Sequence, residues 1–227
     1  MAANGYGFCV DSVLINGHAY TDKIKSSAFE VDFQSIGLAY GDSVTLVIYH
    51  QLDCLPKVLN PAPVTPRSSF ETEYIKVEND SLKWSTTTEH FKLTYIIEQY
   101  RWNKWIKIGE EDGMGLPKGN KYSFNVKPYL HFGLNEFRVK QIDYVQKPNI
   151  SQAATYDGPS TECTISAQTT HRKDSLQFSK ITLYEIFDVD GNLVKKGTSN
   201  FISFPHLKKG QYFLNYGNQT GVEILLK

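Results

Sequence analysis

The sequence has no excess of charge of either sign. Lys and Arg together number 24, and Asp and Glu together also number 24, so the formal net charge is zero. Proteins that hold nucleic acids or anionic membranes electrostatically carry a surplus of basic residues. We therefore expect no nucleic acid and no anionic membrane surface among the partners of this chain.

Long hydrophobic runs are also missing. No stretch approaches the roughly 20 apolar residues that a membrane helix needs, so the sequence predicts no direct membrane span. The first eight residues, MAANGYGF, contain neither the charged nor the apolar region of a signal peptide. Two interpretations stay open: a cytosolic protein, or a secreted protein whose signal peptide has been removed.

Cysteine is scarce and forms no metal-binding pattern. Cys9, Cys54 and Cys163 are far apart and include no Cys-x-x-Cys pair. A disulfide between Cys9 and Cys54 would leave Cys163 unpaired, and three buried free thiols are the alternative. The six histidines also lie too far apart for a local metal pair; they are His18, His50, His90, His131, His171 and His206.

Sequence motifs for catalysis and for cofactors are absent as well. There is no Gly-x-Ser-x-Gly, no Gly-x-x-x-x-Gly-Lys and no Gly-x-Gly-x-x-Gly before a helix. Glu110, Glu111 and Asp112 are adjacent, and neighbouring strand residues point to opposite faces, so they do not form the facing carboxylates of a glycosidase. We therefore predict a protein that is not an enzyme and that has no metal and no cofactor.

What the sequence does contain is typical of β-structure. Aromatic residues make up 13% of the chain, alternating apolar segments recur, and no helical apolar stripe is found. A proline-rich connector with Pro56, Pro61, Pro63 and Pro66 marks a boundary. The sequence predicts an all-β protein of two to three small immunoglobulin- or fibronectin-like β-sandwich domains, with units at 1–66, 67–158 and 159–227. Strands are expected at 26–33 (SSAFEVDF) and 41–50 (GDSVTLVIYH), among others.

The segment QYRWNKW is the best candidate for a binding site. It concentrates aromatic and basic side chains at the tip of an expected hairpin with a longer loop, and such residues dominate protein interfaces. Alternatively, one Trp faces the core and the other packs over the edge of the sandwich. A second candidate is strand addition at the closing strand GVEILLK or at the proline-rich connector. The predicted partner-binding residues are Tyr100, Arg101, Trp102, Lys104 and Trp105.

Residues 70–157 resemble the fibronectin-type-III-like repeats of secreted Bacteroidota proteins. The similar segments are LKWSTTTE, YIIEQY with WIKIGEEDGMG, and GLNEFRVKQIDY. Residues 176–227 look like the C-terminal sorting domain of type IX secretion cargo, through the segments IFDVDGNLV, ISFPHLKKGQYFLNY and GVEILLK. The matching positions are Ile186, Phe187, Asp188, Gly191, Val194, Leu207, Gly210 and Tyr212. The spacing of Asp188, Asp190 and Gly191 does not fit an EF-hand loop, so Asp190–Gly191 is predicted to be a tight hairpin turn with positive φ at both residues.

These resemblances imply a periplasmic or cell-surface protein tied to type IX secretion. Almost the whole chain would be accessory domain, so the resemblance favours a non-catalytic interaction component. A periplasmic partner or plug of the outer-membrane translocon is the specific expectation, with a protein partner in an outer-membrane secretion complex. The alternatives are a small secreted cargo, as a surface protein or adhesin, and a carbohydrate-binding module that uses Trp102 and Trp105.

Overall fold

The computed structural model describes residues 8–39, 42, 44–61, 67–89, 91–171 and 174–227. The predicted features at residues 1–7, Pro63, Pro66 and His90 therefore lie outside the described residues. Strands dominate this part of the chain, and its only helical element is a single 3₁₀ turn at Lys127–Tyr129. No helix there is long and apolar enough to cross a membrane. The protein is all-β, as the sequence predicts.

The first segment forms a three-stranded antiparallel sheet. Its strands, in the order β2-β1-β3, are β1 (Val10–Ile15), β2 (His18–Tyr20) and β3 (Leu46–His50). Asn16 and Gly17 join β1 to β2 with φ values of 51° and 82°, which are those of the tight hairpin turn that the Asn-Gly pair predicts. A disulfide joins Cys9 to Cys54, and Cys163 is buried and unpaired. Of the two alternatives, the structure therefore contains the Cys9–Cys54 disulfide and not three free thiols.

The strand predicted at 26–33 is wrong. These residues form bends and turns, although Phe29 and Val31 still pack partly against the core of the first segment. Alternation of apolar residues alone does not make a strand, because a strand also needs a neighbour for its backbone groups. The strand predicted at 41–50 begins only at Leu46.

The second segment is a sandwich of two sheets. One sheet has the order β4-β5-β8, and the other has the order β10-β9-β6-β7, with β11 also paired to β9. This arrangement of three strands against five, in which the chain crosses repeatedly between sheets, is similar to that of immunoglobulin- and fibronectin-like sandwiches. The strands are β4 (Glu71–Glu78), β5 (Ser81–Thr88), β6 (Tyr95–Arg101), β7 (Lys104–Glu111), β8 (Lys121–Asn125), β9 (Leu134–Ile142), β10 (Pro148–Ile150) and β11 (Ala154–Asp157).

Alternation along the strands builds the core of this sandwich. Leu82 and Trp84 of β5 are fully buried, as are Phe137 and Val139 of β9, and alternation places both members of each pair on one face of their strand. Trp84 stacks on Tyr122 with 5.1 Å between ring centroids. Aromatic burial of this size stabilises a small domain more than any other side-chain type.

A buried carboxylate holds the loop that follows β7. Glu89 accepts hydrogen bonds from Thr86 Oγ1 (2.7 Å) and Tyr95 Oη (2.9 Å) at one oxygen. Its other oxygen accepts from Tyr122 Oη (2.7 Å) and from the backbone N–H of Gly115 (3.1 Å). The Gly-Met-Gly loop is therefore anchored to the core rather than free, and Glu89 is the last residue of the LKWSTTTE segment.

The third segment is one five-stranded sheet with a register shift between its two longest strands. Its order is β12-β16-β15-β13-β14, with strands β12 (Thr169–Thr170), β13 (Ser175–Phe187), β14 (Leu193–Ser203), β15 (Gly210–Tyr216) and β16 (Gln219–Leu226). The register between β13 and β14 shifts from Gln177 to Thr182, and there Ile165 bridges to Phe178 instead. Both halves of β13 thus line one core.

Three separate hydrophobic cores result, one in each segment. The first is built around Val13 and Ile15, the second around Trp84 and Phe137, and the third around Leu214. The predicted division at residues 66 and 158 stays a prediction of where independent domains begin and end. Contacts between the second and third segments position the candidate site described next.

Candidate functional site

The predicted binding segment forms the tip of the β6–β7 hairpin. Trp102 and Asn103 make a two-residue turn with φ values of 54° and 60°, so the longer loop that the sequence predicts is wrong. Both central residues of this turn type need positive φ, which Asn tolerates well and Trp adopts rarely. Tyr100 pairs with Trp105 across the hairpin, and Arg101 pairs with Lys104.

Strand alternation divides the five predicted residues between two environments. Side chains of successive strand residues point to opposite faces, so Tyr100 and Trp105 share one face while Arg101 shares the other with the buried Gln99. Tyr100 is 39% exposed and Trp105 is partly buried, whereas Arg101 is only 3% exposed. The expectation that the whole tip is exposed is therefore wrong for Arg101.

Lys104 reaches from the hairpin to the third segment. Its Nζ donates to Glu185 Oε2 at 2.7 Å and lies 5.6 Å from the centre of the Phe187 ring. Both contacts are with β13. The hairpin tip is thus one side of an intramolecular joint, and the Lys104 side chain is already paired within the chain.

Arg101 is buried without a carboxylate partner. Its Nη2 donates to the backbone carbonyl of Tyr129, and its guanidinium lies 5.5 Å from the Trp102 ring centre. Its Nε and Nη1 have no hydrogen-bond partner among the described residues, and neither has Nε1 of Trp102. Burial lowers the pKa of Arg101 to about 9. A buried guanidinium with unpaired nitrogens makes folding less favourable. Such a residue is more typical of a contact between segments or of a binding site than of a hydrophobic core.

Neutral polar side chains surround this arginine. Gln99 Nε2 donates to Tyr129 O (3.1 Å) and to Asn135 Oδ1 (2.9 Å), and Asn135 Nδ2 donates to His131 O (2.9 Å). Burial, together with the nearby charge of Arg101, lowers the pKa of His131 to about 4. His131 is therefore neutral at physiological pH, and the buried group carries a single positive charge.

The outward face of the hairpin presents a different surface, which we call the aromatic ladder. The Tyr100 and Trp105 rings lie 5.3 Å apart, and the Arg138 guanidinium lies 4.0 Å from the Trp105 ring centre. Arg138 Nε donates to Glu98 Oε2 at 2.7 Å, and Lys140 donates to the other oxygen of Glu98. The aromatic ladder therefore runs across three neighbouring strands, from Tyr100 through Trp105, Arg138 and Glu98 to Lys140.

Such a ladder is chemically suited to binding a protein surface. A guanidinium on an indole ring is held by cation–π attraction, and its orientation is further fixed by the carboxylate. Preorganised aromatic and Arg side chains lose little conformational freedom when a partner covers them. Glu98, the carboxylate of the ladder, is buried and bound by both Arg138 and Lys140, so it holds the guanidinium against the indole ring, and the ladder presents an aromatic and cationic surface.

Sequence reasoning missed the ladder members Glu98, Arg138 and Lys140. Their signal is present, because Arg138 and Lys140 alternate with the buried Phe137 and Val139 in β9. Bringing them beside Trp105 requires knowledge that β9 pairs with β6, a contact between residues about 40 positions apart. Local patterns do not determine such pairings.

No potential metal site is formed in the described part of the chain, where His, Cys, Asp and Glu make no group of three or more. At the turn after β13, Asp188 Oδ1 accepts the backbone N–H groups of Asp190 (3.0 Å) and Asn192 (2.8 Å). Those bonds lower the pKa of Asp188 and use its oxygens to close the turn. Only Gly191 has positive φ there, at 81°, so the predicted positive φ of Asp190 is wrong.

The other predicted binding surface, the closing strand, is covered on its outer side only at its C-terminal end by described residues. β16 pairs with β15 on one side, and the short parallel strand β12 covers its Leu225 and Leu226 on the other. The acidic trio lies at the end of β7, where Glu110 accepts a hydrogen bond from Lys107 on the protein surface. Neither place brings further functional groups together.

No protein-family model and no curated protein matches the chain. Among solved structures, the chain is similar to a crystal structure of the FN1–FN3 domains of chicken CNTN1, with 13% identity and a TM-score of 0.26. The similarity covers 71% of this chain and 66% of that one, so the chain spans less than two thirds of it. At this level no residue role is carried over to the present site.

Proposed function

We propose that this protein is a non-catalytic interaction component associated with the type IX secretion system. Its place would be the periplasm or cell surface, as a partner or plug of the outer-membrane translocon. The secretion assignment rests on the segments IFDVDGNLV and LKKGQYFLNY, which resemble the sorting domain of type IX cargo. The disulfide between Cys9 and Cys54 supports an oxidising compartment outside the cytosol.

The single observation that supports an interaction role is the aromatic ladder. It combines an exposed Tyr100 with a Trp105 that is held between Tyr100 and Arg138, and these three residue types are the ones most enriched at binding hot spots. Lys104 ties the hairpin to the third segment, and Arg101 bonds it to Tyr129 within the second segment, so both residues support the ladder from behind. In this proposal Tyr100 and Trp105 contact the partner, and Arg101, Trp102 and Lys104 position them.

The carbohydrate-binding alternative is less well supported by the same geometry. A sugar-binding platform of two aromatic rings needs both rings to present their faces in one plane. Tyr100 and Trp105 are inclined by 58° to each other, and the guanidinium of Arg138 lies over the Trp105 ring. Trp102 belongs to the turn and stacks near the buried Arg101, so it does not extend the same surface.

The proposed function is tested by purification of the tagged protein from the native cell envelope. We expect the translocon to be recovered with the unaltered protein and the yield to fall about tenfold with Tyr100→Ala/Trp105→Ala. Tyr74→Ala is the matched control, because Tyr74 is similarly exposed on the opposite sheet and also lies near a cation, Lys76. Recovery of no outer-membrane protein by the unaltered chain would contradict the proposal.

The cargo alternative predicts a different fate for the C-terminus. A type IX cargo loses its sorting domain on export, so mass spectrometry would find mature protein without residues 159–227. The proposed apparatus component keeps an intact C-terminus and stays in the cell envelope. Mass spectrometry of the secreted and envelope fractions therefore separates the two functions.

A further inference from the structure

The edge of the first sheet differs from every other long edge in the described part of the protein. β3 pairs with β1 along one side, and no described strand pairs with its other side. Edge strands in natural proteins usually carry charges or proline, which prevent a second strand from adding. β3 reads Leu-Val-Ile-Tyr-His and has none of these, whereas the other described edge strands of four or more residues all have charged side chains; they are β4, β7, β8, β11 and β14.

A wide apolar cleft lies beside this edge. Its volume is about 1510 Å³, and its floor includes Val10, Leu46 and Ile48 of the first sheet. One wall is the segment 26–34, with Phe29 and Val31 among its apolar members, and the other wall is the connector 54–60. The disulfide from Cys9 to Cys54 ties that second wall to the sheet.

The connector presents its apolar side chains to solvent. Leu55 is 84% exposed and Leu59 is 76% exposed, and both line the cleft. Single exposed leucines are common, but several around one cleft mark an interaction surface. The cleft is also larger than the roughly 300–1,000 Å³ of sites for small molecules.

We infer that the cleft binds an extended polypeptide segment of a partner protein, which adds as a fourth strand to β3. The site combines unpaired backbone groups along β3 with apolar side chains at alternate positions, since Leu46 and Ile48 line the cleft while Val47 and Tyr49 do not. An extended chain satisfies both features at once, because its backbone pairs with the edge and every second side chain enters the cleft. A lipid chain would contact the apolar side chains of the cleft but would not pair with the backbone groups of β3.

This inference goes beyond the proposed function and uses a separate surface. The cleft is lined mainly by the first segment and also by Arg67, Ser69 and Phe91 of the second, whereas the aromatic ladder lies on β6, β7 and β9, and the two share no residue. Loss of binding at the cleft would therefore leave recovery of the translocon through Tyr100 and Trp105 unchanged if the two surfaces act independently. The experiment below uses a defined peptide and does not depend on type IX secretion.

The test is fluorescence anisotropy with the full chain and a labelled peptide of alternating Thr and Val, eight residues long. We expect saturable binding, which weakens about tenfold or more when alternate backbone nitrogens of the peptide are methylated, because methylation removes the donors for strand pairing. Leu59→Glu in the exposed connector should weaken binding about tenfold, and Ile48→Glu should do the same. Tyr49→Glu is the matched control on the other side of β3, with an expected change of less than about twofold.

Four results would overturn the inference. Equal affinity for the methylated and unmethylated peptides would exclude strand addition. Absence of peptide binding, while the chain dimerises and Leu59→Glu abolishes dimerisation, would assign the cleft to a second copy. Binding of a fluorescent fatty acid but not of the peptide would assign it to lipid. Absence of all binding by a chain with an unaltered circular dichroism spectrum would exclude a docking role.

Discussion

Lys104 and Glu185 are separated by 81 positions in the chain, yet their side chains form an ion pair of 2.7 Å. Lys104 lies at the tip of the β6–β7 hairpin, and Glu185 lies near the C-terminal end of β13. The Glu185 side chain is 8% exposed and that of Lys104 is 46% exposed, so the carboxylate is largely withdrawn from water. The pair therefore ties the second segment to the third at a place where solvent screens the attraction only in part.

The first prediction concerns the strength of this joint. In a double-mutant cycle with Lys104→Met and Glu185→Gln, we expect a coupling free energy of about 1 kcal/mol that decreases in 1 M NaCl. The measurement is urea unfolding of the four proteins. The pair Lys83 and Glu78 on the β4–β5 hairpin is the matched control, because both side chains are substantially exposed there and the coupling should be about 0.5 kcal/mol or less. Equal coupling free energies in the two cycles would contradict the conclusion that partial burial strengthens the Lys104–Glu185 ion pair.

The hairpin itself could be predicted from the sequence, but its two environments could not. Aromatic and β-branched residues on either side of Asn103 indicate two strands and a turn. The sharp two-residue turn at Trp102 places Arg101 on the inner face, and that register depends on which residues pair across the hairpin. Periodicity describes each strand separately and contains no information about the strand that it meets.

The same limit explains the missing strand at 26–33. Phe29, Val31 and Phe33 alternate as a strand would, and two of them do pack on the core. The neighbouring strand that would complete their hydrogen bonds is absent from the described sheet, so the alternation serves loop packing only. By contrast, the alternation of Leu82 with Trp84, and of Phe137 with Val139, does correspond to strands. β5 and β9 each have a hydrogen-bonded strand on both sides, so their alternating side chains pack into the core of the sandwich.

The second prediction concerns pH. The folded-state pKa of His131 is about 4, below the ordinary value of 6.5 that applies to the unfolded chain. The unfolded chain therefore binds more protons between pH 6.5 and 4, so the free energy of unfolding falls as the pH falls through this range. Below about pH 4 His131 is protonated in both the folded and the unfolded chain, so its effect on the free energy of unfolding no longer changes with pH. At about 1.4 kcal/mol per pH unit, the largest loss attributable to His131 is about 3 kcal/mol.

The His131→Asn variant isolates this contribution. Two cations face the imidazole, Arg101 from the hairpin and Lys180 from β13, and both disfavour its charged form. Between pH 7 and pH 4 we expect the variant to lose less stability than the unaltered protein, as measured by urea unfolding at each pH. His206→Asn, at an exposed position, is the control and should leave the pH dependence unchanged. Parallel curves for His131→Asn and the unaltered protein would contradict the prediction.

The third prediction concerns Glu89, whose carboxylate accepts four hydrogen bonds and forms no salt bridge within the part of the chain that the structure describes. Burial of the two tyrosines that donate to it, together with the charge of Glu89, raises the pKa of Tyr95 and Tyr122 above their ordinary value. Glu89→Ala leaves these donors without an acceptor and should destabilise the protein by about 3 kcal/mol. Glu89→Gln keeps one acceptor oxygen and should cost about 2 kcal/mol.

Hydrogen exchange distinguishes an anchoring role of Glu89 from a general loss of stability. We expect Glu89→Ala to speed exchange at Gly115, whose N–H the carboxylate accepts, more than exchange in β9. Glu110→Gln is the control, because Glu110 is exposed and bonded only to Lys107, and its effect should stay within about 0.5 kcal/mol. Uniform acceleration across all strands would show that Glu89 does not hold the loop specifically.

The last prediction concerns the disulfide between Cys9 and Cys54. It links residues 45 positions apart around the small first core, whose buried hydrophobic residues in the described part of that segment are Val10, Val13, Ile15 and Ile24. Constraining a loop of this length stabilises the folded state by about 4 kcal/mol, which is comparable to what so small a core supplies. Cys9→Ser/Cys54→Ser should therefore unfold the first segment and remove the cleft beside β3, while the other two cores persist.

Limited proteolysis followed by mass spectrometry should show cleavage within residues 8–60 and an intact fragment from residue 67 onward. Cys163→Ala is the control, because that thiol is buried in the third core and forms no disulfide. Resistance of residues 8–60 in the double serine variant would mean that the core folds without its crosslink.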